Sequence, residues 1–124
     1  MRASCGAALL VVLALAGCGA HKPGAYEAAN TALLNRVPVY PGAVAHKTTA
    51  SSSGATEFEA RDLTLPATAR ATAVIDWYVQ RLQATGWKVN GKSFDTIRAT
   101  RGHAALSVGV RAHTLEVIAN ARGA

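Results

Sequence analysis

The side chains able to do chemistry in this 124-residue chain are few and far apart. Cys5 and Cys18 offer thiols, the histidines are His21, His46, His103 and His113, and the carboxylates Glu57, Glu59, Asp62, Asp76, Asp95 and Glu116 are the acid–base candidates. General acid–base or metal chemistry needs such groups within hydrogen-bond or ligand reach of one another. Their spacing does not supply that. His103 and His113 sit at the two turns bounding one strand, where about eight residues at roughly 3.3 Å each hold them near 27 Å apart, too far to share a metal. His21 falls in a Gly/Pro stretch. Glu57 and Glu59 share one strand face and read as outward and solvated. No phosphate-binding loop, Gly-x-Ser-x-Gly elbow or His-Glu-x-x-His pair occurs. The sequence therefore assigns no catalytic residue, no metal ligand and no cofactor.

Cys18 is set apart by what precedes it. Arg2 supplies a positive n-region, and Ala7 to Ala16 is an unbroken apolar run. That run has the length of a signal-peptide core and is too short to cross a bilayer as a helix. It leads into Leu15-Ala16-Gly17-Cys18, which resembles the lipobox of bacterial lipoproteins. The resemblance implies that the Cys18 thiol takes a diacylglyceryl group through a thioether and that a peptidase cuts the Gly17–Cys18 bond. The new amine is often acylated as well, by a chain such as palmitate. Cys5 would leave with the cleaved peptide. Each buried methylene contributes about 0.8 kcal/mol, so one acyl chain holds marginally and two or three hold durably. The expected location is a lipid-anchored one on the extracytoplasmic side: the cell membrane, or the outer membrane in a cell with two. Gly19 is not Asp, so an inner-membrane retention signal of the kind known in some lipoproteins is missing.

Cleavage there would leave 107 residues, Cys18 to Ala124, with twelve Lys and Arg against seven Asp and Glu. That is one small domain. With Cys18 acylated no thiol is left for a disulfide, so the domain must rely on its core. The net positive balance could favour anionic lipid headgroups or acidic envelope polymers, the plain alternative being a solvated surface.

The elements follow from pattern. Residues 1–17 are the signal peptide; 18–36 hold the acylated cysteine, a Gly/Pro tether to about Ala25 and a short helix over Tyr26 to Leu34; 37–124 form the domain. Pro38 and Pro41 bracket an extended Val39-Tyr40, and Gly42 suits a turn. Val44 to Thr48 reads as a first strand, followed by a flexible Ser/Gly loop. Glu57 to Leu65 reads as a second strand, with Phe58 and Ala60 facing one way and Leu63 and Leu65 the other, which implies a bulge near Asp62. The clearest helix is about Thr68 to Thr85, with Thr68 as N-cap. Ala71, Val74, Ile75, Tyr78 and Leu82 share its apolar stripe, and Asp76, Gln80 and Gln83 lie opposite. Trp77, on the flank, is expected to cover the sheet edge. Gly86 stands where a left-handed residue ends a helix, with Trp87 packing back on Leu82.

The remainder reads as a meander. Asn90-Gly91 is a hairpin turn signal, and a bulge is expected near Asp95 or Thr96. Gly102-His103 makes a two-residue turn, pairing Arg101 with Ala104, Ala99 with Leu106 and Ile97 with Val108. His113-Thr114 makes another, pairing Ala112 with Leu115, Val110 with Val117 and, on the outer face, Arg111 with Glu116. Both registers turn Leu106, Val108 and Val110 inward.

Pro38-Val39-Tyr40-Pro41-Gly42-Ala43, then Trp77-Tyr78, Leu82 and Gly86-Trp87, is similar to a domain of unknown function found in small bacterial lipoproteins, over about Val37 to Ala121. The resemblance implies a small α+β domain and an envelope location, and carries no chemistry.

The reading is an α+β two-layer sandwich, one main helix on an antiparallel sheet of five or six strands. Its function is that of a lipid-anchored envelope protein presenting a non-enzymatic binding or structural module. The competing reading is an envelope enzyme or small-ligand carrier. The partners are a membrane, through the anchor, and an envelope protein or anionic polymer. Any such contact is assigned to the outer sheet face, at Arg98, Arg111 and Ile118. Lys88 adds charge to that face. It lacks the stacking aromatics of nucleic-acid sheet readers, and nucleic acid is not expected.

Overall fold

The computed structural model of the protein describes residues 25–51 and 58–122. Along the chain lie α1 (Ala25–Arg36), β1 (Val44–Ser51), β2 (Phe58–Thr64), α2 (Ala71–Ala84), β3 (Lys88–Lys92), β4 (Thr96–Arg101), β5 (Ala104–Arg111) and β6 (Thr114–Asn120). The six strands form one antiparallel sheet in the order β1-β2-β6-β5-β4-β3. Both helices pack on the same face, α1 over β2 and β6, α2 over β3, β4 and β5. This is the α+β sandwich expected, with α1 sharing a layer in which one main helix was foreseen.

The α2 stripe explains the core. Val74, Ile75, Tyr78 and Leu82 are buried at helical spacing, while Asp76, Gln80 and Gln83 face solvent. They meet Ile97, Ala99, Leu106, Val108, Val110 and Val117, all buried on the covered sheet face. Each large apolar side chain so buried contributes roughly 1.5–3 kcal/mol. The helix ends as its sequence demands. Gly86 has φ +88, its N–H bonds to the Gln83 carbonyl, and the Trp87 N–H reaches back to the Leu82 carbonyl. That is the Schellman closure, with Trp87 and Leu82 both in the core. The start differs from expectation. The Ala69 N–H bonds to the Pro66 carbonyl in a separate turn, and the first helical bond runs from Val74 N–H to the Arg70 carbonyl. Arg70, not Thr68, is the N-cap, and it makes no side-chain cap bond.

The β4–β5 hairpin keeps the predicted register, Arg101 to Ala104, Ala99 to Leu106 and Ile97 to Val108, with Gly102 at φ +58. The β5–β6 register is shifted by two residues. Arg111 pairs with Thr114, Val110 with Leu115 and Val108 with Val117, and Ala112-His113 forms the turn with Ala112 at φ +53. A slip of two preserves the faces, so the inward set is unchanged, but Arg111 no longer stands opposite Glu116. Asn90-Gly91 is not a turn. It lies inside β3, where the register breaks between Val89 and Gly91. The turn falls at Ser93 to Asp95, closed by Ser93 N–H to the Thr96 carbonyl and Thr96 N–H to Ser93 Oγ. No bulge is needed at Asp95 or Thr96, because β4 starts there in register with Gly109.

The largest correction concerns β2. Its alternation is unbroken, with Glu59, Leu63 and Leu65 buried inward and Phe58, Ala60 and Asp62 outward. The bulge lies on the neighbouring β1, between Ala45 and Lys47. Glu59 is thus not a solvated residue. It is 3% exposed beneath α1, where the Thr31 hydroxyl donates to its Oε2 at 2.7 Å. Nearby, Asn30 accepts the Ala121 N–H at 2.7 Å and Asn35 accepts from Arg61 at 2.8 Å. The α1 helix therefore docks through a polar seam continued by Leu33, Leu34 and Val37, which are buried.

Between α1 and β1 the Pro38–Gly42 segment lies against α2. The Ala43 N–H bonds to the Tyr40 carbonyl across a Pro-Gly turn. Gly42 supplies the positive φ of +81 that a type II turn needs at this position, and a Cβ there would stand 2.8 Å from the Pro66 ring. The turn seats Tyr40 edge-on against Trp77, whose centroid is 5.4 Å away, and aims its N–H at the Tyr78 hydroxyl oxygen, 3.2 Å distant. Trp77 packs on Tyr40 and Tyr78 rather than over the sheet edge.

Candidate functional site

With both helices on one face, the other face of the sheet is left uncovered by the described residues, and strand pairing orders its side chains into rows. One row runs Arg98, Ser107, Ile118, Ala60 across β4, β5, β6 and β2. The next runs Thr96, Gly109, Glu116, Asp62. The third holds Arg111, Thr114 and Thr64. The three residues picked from sequence are all on this face, Arg98 and Arg111 exposed and Ile118 half-buried. They do not converge. Arg98 and Arg111 stand two rows and one strand apart, about 14 Å at standard strand spacings.

What the sequence did not foresee is the row between the arginines. A depression of about 370 Å3 opens there, lined by Asp62, Asp95, Glu116 and Arg111 with the hydroxyls of Thr96, Ser107 and Thr114. It opens because Gly109 and Ser107, at its floor, carry little side chain. Ser93 and Thr96 hydroxyls hold the Asp95 carboxylate at 3.0 and 3.2 Å. Asp62 and Glu116 are directly opposite across β2 and β6, a like-charge pairing that costs stability in a sheet. Among the described residues no ion pair joins either of them to Arg111. The face is therefore not the uniformly basic surface that Arg98, Arg111 and Lys88 suggested. It alternates cation, carboxylates, cation. The signal was present in the strand parity of Asp62 and Glu116, but the expected bulge at Asp62 and the two-residue slip of β6 concealed it.

His103 and His113 are exposed at turns bounding opposite ends of β5, and the His46 ring is hydrogen-bonded to the Thr64 hydroxyl on β2. Among the described residues no group of three His, Cys, Asp or Glu could hold a metal ion. Among the described residues Tyr78 is the titratable group most altered by its surroundings. Burial pushes its hydroxyl up to about 12, an effect partly offset by the Tyr40 N–H that it accepts. It is a packing group under the Tyr40 turn, remote from the outer face. Cys18, the Gly17–Cys18 bond and Glu57 lie outside the described residues. No helix among the described residues is long and apolar enough to cross a membrane.

Comparison with protein-family models, with curated proteins and with solved structures found no match to this chain.

Proposed function

We propose that this is a lipid-anchored envelope protein whose domain is a non-enzymatic binding module, working through its uncovered sheet face. The observation that carries the reading is the division of the sheet. One face is filled by α1 and α2, and the other is left bare by the described residues, with Ser107 and Gly109 leaving backbone approachable within neighbouring rows of opposite charge. Arginine is enriched at protein interfaces, and alternating charge suits a protein partner that offers both signs in register. The three carboxylates lining the depression repel an anionic polymer on this face, so a protein is the favoured partner. Anchoring is supported by the Leu15-Ala16-Gly17-Cys18 match, and the six-residue tether Gly19–Gly24 would hold the domain within about 20 Å of the bilayer.

Two variants test the two halves. Cys18→Ala should abolish labelling by radioactive palmitate and leave the precursor uncut; normal labelling would end the lipoprotein reading. Arg98→Ser with Arg111→Ser should leave stability within about 1 kcal/mol, since exposed charges contribute little. It should weaken capture of the partner identified from membranes with the parent protein, and unchanged capture by the folded variant would rule this face out. A second reading, a carrier of a small polar ligand, is favoured by the volume of the depression, which lies within the range of small-molecule sites. Native mass spectrometry of gently extracted protein would reveal such a ligand as added mass.

A further inference from the structure

The described charges are not spread evenly along the strands. The carboxylates Asp62 and Glu116 lie toward one end of the sheet, with Asp95 at the start of β4. Asp76 belongs to the same end, because it pairs with Lys92 at the end of β3, 2.6 Å away. The opposite end is where α1 begins and where β6 finishes, as the bond from Ala121 N–H to Asn30 requires. That end gathers Lys88 at the start of β3, Arg101 at the end of β4 and Arg122 just after β6, all exposed. Two of these cations are held in place while remaining open to solvent. Arg101 stacks on Trp87 at 4.7 Å and donates to the Thr85 carbonyl at 3.0 Å, and Arg122 stacks on Tyr26 at 5.0 Å. Of the described carboxylates only Glu27, half-buried in the first turn of α1, and the buried Glu59 lie near them.

Asp95 and Arg101, like Glu116 and Arg122, are six residues apart, about 20 Å along a strand. That is more than twice the Debye length of about 8 Å at physiological salt, and Arg70, Lys92 and Arg111 stand among the carboxylates at the far end, so that end does not cancel the field of the basic one. The described chain begins at Ala25, on the basic end, and in the sequence Lys22 precedes it by three residues. We infer that the basic end formed by Lys88, Arg101 and Arg122 docks on an anionic phospholipid surface. Resting on the anchored reading, this orientation turns the carboxylate-lined depression away from the membrane, toward the partner. Lysine and arginine near an anionic leaflet each add to binding, and the arginines, pinned by aromatic rings, lose little freedom in doing so.

The test separates docking from acylation. The chain from residue 18 to 124 with Cys18→Ser contains every described element and no acyl chain. It is mixed with phosphatidylcholine vesicles, with and without phosphatidylglycerol, and sedimented. Binding is expected only with phosphatidylglycerol and should fade at high salt. Lys88→Gln with Arg122→Gln should weaken it about twenty-five-fold, on about fivefold per cation. Arg70→Gln with Lys92→Gln, the same loss of net charge at the other end, should change it less than about threefold. Arg101→Lys, which keeps the charge, should bind nearly as the parent does. Circular dichroism confirms that each variant is folded. Equal losses in the two pairs, equal binding to neutral vesicles, or capture by soluble polyphosphate with none by vesicles would overturn the inference. Failure of palmitate labelling at Cys18 would remove the anchor and leave the vesicle result standing.

Discussion

Gly42→Ala should destabilise the domain more than Gly102→Ala, and the difference measures how the Pro-Gly turn is held. Both glycines have positive φ, +81 and +58. An L-residue there costs about 1–2 kcal/mol, offset in both cases by about 0.4–1 kcal/mol from a less flexible unfolded chain. Around Gly102 no atom lies within 4 Å of an added Cβ, so the net cost is of order 1 kcal/mol. At Gly42 the same methyl would stand 2.8 Å from Pro66 Cγ. A proline ring cannot rotate aside, and overpacking of this kind adds about 1–3 kcal/mol. The expected total is roughly 2–4 kcal/mol. Urea unfolding followed by tryptophan emission gives both values, and Trp77 against Tyr40 also reports whether the turn has moved. If the two substitutions cost the same within about half a kcal/mol, the Pro66 contact is not what holds the turn, and the account of how Tyr40 is seated on α2 fails.

Three further outcomes follow from the core. Leu82→Ala should cost about 2–5 kcal/mol in thermal melts, while Gln80→Ala, one turn-face away, should stay within about half a kcal/mol; the reverse ranking would mean that the wrong face of α2 has been assigned to the core. The Tyr78 hydroxyl has its pKa raised from 10.0 to about 12 in the native state. Its contribution is therefore complete below pH 10, where both states are protonated, and is lost as pH rises toward 12 because the unfolded chain ionises first. Alkaline absorbance titration should show one late-ionising tyrosine that disappears in Tyr78→Phe. Glu59→Ala should cost about 1–3 kcal/mol by orphaning the Thr31 hydroxyl, and Glu59→Gln, which keeps an acceptor, distinctly less; equal effects in chemical denaturation would mean that the bond between them is not what stabilises α1 on the sheet.

The residues of this chain determine by themselves whatever depends on local periodicity. The α2 stripe, the Gly86-Trp87 closure, the Gly102 turn and the inward face of Leu106, Val108 and Val110 each need only nearest neighbours along the chain, and each is present. The proposed lipobox at Leu15-Ala16-Gly17-Cys18 rests on residue order alone and is local in the same sense. Tertiary structure decided everything that depends on which surface a polar residue meets. Glu59 and Asn30 carry no apolar signature, so only the docking of α1, with Thr31 half-buried beside Glu59, makes them interior groups. Asn90-Gly91 has the composition of a turn, but Lys92 pairs with Ile97 and Ser93 closes the reversal with its own hydroxyl. The slip of β6 by two residues leaves every side chain on its face, so hydrophobic patterning cannot detect it. Yet that slip, with the adjacent pairing of β2, is what sets Glu116 across from both Gly109 and Asp62 and places carboxylates between the two arginines.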